Sequence, residues 1–261
     1  MRALAIENRA RLFTGIITLL VVGALWYLST QATHLISTGR FPSPLDVYKA
    51  AQQIATPPGY GNATIWRHIA ISLELVLLGF AVAAATGVPL GIAMGVSRRF
   101  EAFINPIFLT IRPIPPLAWI PLAVVWFGLS IEAKIFVVWF AAFVPALINS
   151  YTGVRIVDRT LIEAARIHGA SRYRLLFDVI VPAAMPLIFT GLRLSLQASW
   201  TTLIAAELVG SVAGLGHVLI VASIDIYPGM IFYGMVWVAI LGALMTFALA
   251  QTERLAMPWL R

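Results

Sequence analysis

Four ionisable side chains, Glu74, Arg112, Arg193 and Glu207, lie inside long apolar runs of this chain. A charge held at membrane depth is costly, so such a residue marks a solute or proton path unless a neighbour neutralises it. Arg193 opens a helical series. Gln197, Trp200 or Thr201, and Ile204 follow at steps of three to four residues, a partly polar stripe of the kind that faces a pore. Arg112 is followed by Pro113, Pro115, Pro116 and Pro121, which cannot all sit in an unbroken helix. Irregular backbone at membrane depth is tolerated where it is buried in protein or lines a cavity. The chemistry these residues offer is the binding and passage of a charged solute, with Glu207 and Glu74 near the outer ends of their runs. The competing reading for either arginine is a structural pair with a carbonyl or an acid.

Bond-making chemistry has little to stand on. Cysteine is absent, and His34, His68, His168 and His217 are scattered without ligand spacing. Neither Lys49 nor Lys134 follows a glycine, so no phosphate-cradling loop can be drawn. No nucleophile–base constellation appears, which leaves a membrane-embedded enzyme without a catalytic group. The net charge of +7 could suggest nucleic acid, but the bases sit in short segments between apolar runs, with no basic face interleaved with aromatics.

A second polar stretch is of another kind. Between Glu163 and Pro182 the chain reads EAARIHGASRYRLLFDVIVP, with five charges between Glu163 and Asp178. The spacing predicts a short helix from Arg155 through Ile167, a corner at Gly169, and a second helix capped by Ser171 from Arg172. Pro182 is where that second helix ends or kinks. A basic hairpin anchored in membrane at both ends is suited to being gripped by a soluble protein.

The elements that must position these residues follow from hydropathy. With 60% hydrophobic and 11% charged residues, an integral membrane protein is the expectation. Six spans are drawn, at 12–32, 69–96, 103–127, 135–151, 183–209 and 230–250, with one polar loop at 155–182, in a single membrane domain. Arg112 and Arg193 each fall about ten residues from the inner edge of their spans, roughly 15 Å deep. The run from Leu12 to Leu28 is longer than a signal core and is read as a retained first span. Between the first two spans, DVYKAAQQI is helix-like, preceded by Pro42 and Pro44 and ended by Pro57, Pro58 and Gly59, with Val47, Ala50, Ala51 and Ile54 on one face. The small residues of AVAAATGVPLGIAMG predict close helix packing. Of the Lys and Arg residues, 12 fall on the side of the termini and the polar loop and 4 opposite, which puts both termini in the cytoplasm.

The polar loop also carries a resemblance. Glu163-Ala164-Ala165, then Gly169, then Val179 and Val181-Pro182 are similar to the EAA loop of ABC-importer permeases, departing only by valine for isoleucine at Val179 and for leucine at Val181. RPIPPLAWIPLAVVWFG and SWTTLIAAELVGSVAGLG resemble the nitrate/sulfonate/taurine branch, its taurine-type permeases best of all. The branch often has an arginine where this chain has Leu75 beside Glu74, which weakens a simple transfer of anion preference. The resemblance implies an all-α, six-span permease of the type I importer class, in a bacterial inner membrane, whose loop docks on a cytoplasmic ATPase through Glu163, Ala164, Ala165, Gly169, Ser171, Arg172 and Pro182. Two copies of the permease, two ATPases carrying ATP and Mg, and a periplasmic or lipid-anchored binding protein complete the machine. This chain binds no cofactor itself. Its solute is a small anion or zwitterion, an organosulfonate such as taurine. Nitrate, bicarbonate or another small organic acid is the alternative, and an ion-coupled carrier using Glu74 and Glu207 as proton sites is the rival from another class.

Overall fold

A computed structural model describes residues 2–33, 37 and 39–260 of the chain, so His34 lies outside the described residues. The elements in order are α1 (Arg2–Tyr27, continuing in a π turn Leu28–Ala32), α2 (Pro44–Ala55), α3 (Ile65–Val96), α4 (Arg98–Ile111), a 3-10 turn (Pro116–Trp119), α5 (Ile120–Phe127) and α6 (Ile131–Arg155). There follow α7 (Arg159–Ile167), α8 (Arg172–Arg174), a π turn (Leu175–Ile180), α9 (Val181–Gly210), α10 (Leu215–Ile224) and α11 (Pro228–Ala256). No β-strand occurs among the described residues. By length and composition five helices can cross a membrane, or six if α4 and the segment Pro116–Phe127, bent by 83°, make one broken span. The expected six-span pattern stands on that count, and the break falls at the prolines.

Two compact units divide the chain. The first holds the chain through Trp66 together with Val218–Val236. In it, α2 starts from a capping box in which the Ser43 side chain accepts from the Asp46 N–H and the Asp46 side chain accepts from the Ser43 N–H, with Pro44 on the first turn. Ala50 and Ile54, on the predicted apolar face, are fully buried. Trp26 packs with Phe41 and Phe232 and donates its indole N–H to the Pro42 carbonyl at 2.8 Å. The Tyr60 hydroxyl donates to Asp225 at 2.6 Å. Burial first, and the Asp225 carboxylate next, raise the hydroxyl's pKa.

The second unit comprises Arg67–His217 and the chain from Trp237 onward. Its helices approach closely where the sequence is small. A Cβ on Gly87 of α3 would lie 3.0 Å from the Ala146 side chain of α6, and one on Gly95 would lie 2.6 Å from Val154. A Cβ on Gly191 of α9 would lie 2.6 Å from Asn149 of α6. In lipid such contacts replace the hydrophobic drive that packs soluble helices.

Two sequence boundaries need correction. Arg155 ends α6, and the hairpin's first helix starts four residues later at Arg159, because Asp158 supplies the cap through a bond from the Thr160 N–H at 2.8 Å. Pro182 neither ends nor kinks the helix. The helical path runs unbroken from Arg172 to Gly210. The proline falls in the first turn of α9, and the wide π turn before it removes the demand for its missing N–H.

Candidate translocation site

The stripe expected on the fifth span, Ile204 excepted, lines one groove. Arg193, Gln197, Trp200 and Thr201 of α9 face Ala239, Gly242, Ala243 and Thr246 of α11 across about 270 Å³. Gln197 and Thr201 are exposed in it, while Trp200 is buried with its indole N–H directed at the Met245 sulfur, 3.3 Å away. Thr201 and Thr246 satisfy their hydroxyls on the Gln197 and Gly242 carbonyls, one turn back. Their oxygens can still accept a bond from a solute.

Arg193 has an acid partner that the sequence reading did not name: its guanidinium pairs with the Glu253 carboxylate of α11. Glu253 stands three residues before the end of α11 at Ala256. Arg193 lies about 26 Å along the helix axis from Gly210, in a helical path that runs unbroken from Arg172 to Gly210.

Arg112 lines a different cavity. As the C-cap of α4 it borders about 210 Å³ of apolar space with Ile107, Phe108 and Ile111 of its own segment, Leu90 of α3, and Trp139, Phe143 and Leu147 of α6. Its side chain is exposed and makes no hydrogen bond or ion pair among the described residues. Pro113 and Pro115 form the exposed corner of the 83° break. Within one chain the two arginines are thus not gathered at one point.

Glu207 turns away from the groove. It is fully buried, accepting from the Ser72 hydroxyl at 2.7 Å and from the Gly216 N–H at 2.7 Å. The neighbouring donors are also taken: Leu215 N–H by Ser72 Oγ at 2.8 Å, and Gly214 N–H by His68 Nδ1 at 3.0 Å. Three successive N–H groups at the start of α10, which no helical carbonyl can reach, are thereby satisfied by side chains of α3 and α9. A carboxylate at the positive end of a helix is well placed electrostatically. Gly214 has φ +135°, and a Cβ there would run into the Glu207 carboxylate. The sequence reading missed Ser72 and His68 in this role. The glycines at 214 and 216 beside a lone acid were the only trace of it. Glu74, the other acid considered, is exposed on α3.

The polar hairpin presents a free face. Ile167 at its tip is 85% exposed and Tyr173 71%, so large apolar groups stand among the exposed Glu163, Ala164, Arg166, Ser171, Arg172 and Arg174. Gly169 has φ +78° and closes α7 with the Ala170 N–H on the Ala165 carbonyl at 3.0 Å, a left-handed helix stop. Ser171 caps the next turn, as expected, by accepting from the Arg174 N–H at 3.3 Å. The base is held by a core of Val154, Val157, Leu175, Ile180, Ala184 and Ile188, on which Ala165 and Val179 pack. An ordered hairpin with a buried root and an exposed mixed surface is what a docking element requires.

Residues 87–255 match the family described as binding-protein-dependent transport system inner membrane component. The chain is 39% identical over 243 residues to the taurine transport system permease protein TauC of Escherichia coli (strain K12), covering 93% of this chain and 88% of that protein. It is 34% identical to the bicarbonate transport system permease protein CmpB of Synechococcus elongatus (strain ATCC 33912 / PCC 7942 / FACHB-805), covering 92% of this chain and 86% of that one. A solved inward-facing structure of the MetNI methionine ABC transporter superposes with a TM-score of 0.65 at 21% identity, over 74% of this chain and 97% of that one, a likeness of fold. The fold is that of the type I importer permeases. The spans, the broken helix and the hairpin thus occur in a chain that belongs to the family of binding-protein-dependent transport system inner membrane components, multi-pass permease subunits of ABC transporters whose ATPase is a separate subunit.

Proposed function

We propose that this permease forms a homodimer in a bacterial inner membrane, with both termini cytoplasmic, and imports a small anionic or zwitterionic solute, an organosulfonate such as taurine. The observation that carries the solute class is the 39% identity to a taurine permease over nearly the whole chain. The groove lends support: Arg193, Gln197 and Thr201 offer donors and acceptors beside the indole of Trp200, which suits a solute with one charged head. Arg112 and Pro113–Pro115 at the break form the second part of the pathway. Because Glu253 offsets Arg193, the positive field rests mainly on Arg112 of each copy.

The hairpin residues Glu163, Ala164, Ala165, Gly169, Ser171 and Arg172, rooted at Pro182, serve as the contact with the ATPase, which carries ATP and Mg. A periplasmic or lipid-anchored binding protein delivers solute. ATP draws the two ATPases and their hairpins together and turns the spans outward, and hydrolysis reverses the motion. The burial of Glu207 between two donors, the Ser72 hydroxyl and the Gly216 N–H, disfavours the ion-coupled carrier, since no free carboxylate remains there to load and unload a proton. Likeness to a bicarbonate permease keeps bicarbonate as the second solute reading.

The test is uptake by the reconstituted permease, ATPase and binding protein in proteoliposomes, using labelled taurine and labelled bicarbonate. Vanadate-sensitive, ATP-dependent taurine uptake is expected. Bicarbonate uptake alone would replace the solute, and uptake abolished by an uncoupler at constant ATP would overturn the importer reading.

A further inference from the structure

Helix α4 is held unevenly. None of its residues is buried, and a cavity of about 210 Å³ lies between Ile104, Ile107 and Phe108 on its length and Phe143 and Leu147 of α6. At its first turn the attachment is tight. Glu101 Oε1 accepts from the Tyr151 hydroxyl at 2.5 Å, and Oε2 accepts from Arg155 Nη2 at 2.7 Å. Arg155 Nε donates to the same hydroxyl at 3.3 Å, and its guanidinium stands 5.6 Å from the centre of the Tyr151 ring. Tyr151 and Arg155 are one turn apart on α6 and so share a face. Both carboxylate oxygens are committed, and charge-assisted bonds of this kind are short and directional.

The chain path gives this cluster two ends. Arg155 is the last residue of α6, and the hairpin's first helix begins at Arg159, across a link whose Val157 is buried in the hairpin's root. At the far end of α4 sits Arg112, where the 83° bend begins. The helix is 14 residues, about 21 Å, long and carries Pro106 inside it. A helix gripped at one end over an open cavity pivots when the grip moves.

We propose that Glu101, Tyr151 and Arg155 form the joint through which displacement of the hairpin turns α4, and so moves Arg112 and the proline corner. The proposal rests on the reading of the hairpin as the ATPase contact. Glu101 and Arg155 are positioning residues. They act on the pathway through α4, and an ordinary surface ion pair between them would tie two helices without passing motion from one to the other.

The experiment uses the assembled transporter. Because the chain has no cysteine, Ile107→Cys and Phe143→Cys place one spin label on each side of the cavity. The distance between labels is measured without nucleotide and after trapping with ATP and vanadate, alongside ATPase co-purification. The expected result is a distance change on trapping that is lost in Arg155→Met and in Glu101→Gln while the ATPase still co-purifies and hydrolyses ATP. The change should return in the double variant Glu101→Arg/Arg155→Glu. Glu101→Gln keeps the shape of the side chain, so it reads the joint even where Arg155→Met does not fold. A distance that never changes, or one that changes as fully in Glu101→Gln as in the unaltered joint, overturns the proposal. A Gly169→Val variant in the same preparation separates the two readings: if it loses the ATPase while the joint variants move normally, only the joint is wrong.

Discussion

Helix α9 carries one charge near its middle and another near its end, and the two are treated in opposite ways. Glu207 is sealed from solvent, its oxygens met by a serine hydroxyl and a backbone N–H held in place by the start of another helix. Arg193 lies in an open groove, 45% exposed, opposite one carboxylate on a flexible stem. A charge surrounded by preorganised dipoles becomes part of the framework, because leaving those dipoles unpaired is expensive. A charge with one mobile partner can exchange that partner for a solute. The same contrast separates two of the glycines with positive φ. At Gly214 an added Cβ meets the Glu207 carboxylate, whereas at Gly169 nothing lies within 4 Å.

The largest effect is expected where the framework is broken. Glu207→Ala strands a buried hydroxyl and a buried N–H, a loss of about 3 kcal/mol. Glu207→Gln, which keeps one acceptor, should lose less. The thermal stability of the detergent-solubilised chain measures this, and equal loss in both variants would remove Glu207 from the framework class. Next comes Gly169→Val, where only the left-handed backbone is strained, at about 1–2 kcal/mol. It should weaken ATPase co-purification while membrane insertion stays intact. Gly169→Asn should be tolerated, since asparagine adopts positive φ more readily than other side chains. At Gly214 the same asparagine should fail, because the obstacle there is also steric.

A smaller effect is expected at the mobile pair. Arg193→Gln leaves Glu253 as a lone negative charge in the groove and should cut taurine uptake by about tenfold, the scale of one charged hydrogen bond. Arg193→Lys should retain more uptake, and Arg193→Gln with Glu253→Gln should recover part of the loss. Full uptake by Arg193→Gln at equal protein level would take the pair out of the pathway. The smallest effect is at Asp158. Its carboxyl is held below the usual aspartate range, chiefly by the Thr160 backbone N–H. Its folded pKa is depressed, so its stabilisation of α7 is fully present above the ordinary value near 3.9 and is lost as pH falls through the lower folded value. Amide exchange in the hairpin should quicken only in that acid window, and Asp158→Asn should remove the pH dependence while keeping the cap.

The hairpin was legible in the sequence because its determinants are local: Gly169 for a left-handed stop, Ser171 for a cap, Pro182 for a helix start rather than the break expected of it. The polar stripe was legible for the same reason, since Arg193, Gln197, Trp200 and Thr201 are set on one face by helical periodicity alone. The partners of Glu207 were not legible, because periodicity tells which face a side chain takes and not what stands opposite. Arg112 was placed correctly at a break, and the broken span gave the bend its location but not its 83°.

By itself the sequence determined what hydropathy, glycine, proline and capping residues encode over one or two turns: the spans, the interrupted third segment, the ordered polar hairpin and the side of each helix that carries charge. Only the tertiary structure decided which charges are neutralised and by whom. Arg193 meets Glu253 across 60 positions, Arg155 meets Glu101 across 54, and Ser72 meets Glu207 across 135. The physical reason is range. Helix and turn energetics are set by neighbours within about four residues, whereas the cost of a charge in an apolar medium is set by whichever groups the packing of distant helices brings to it.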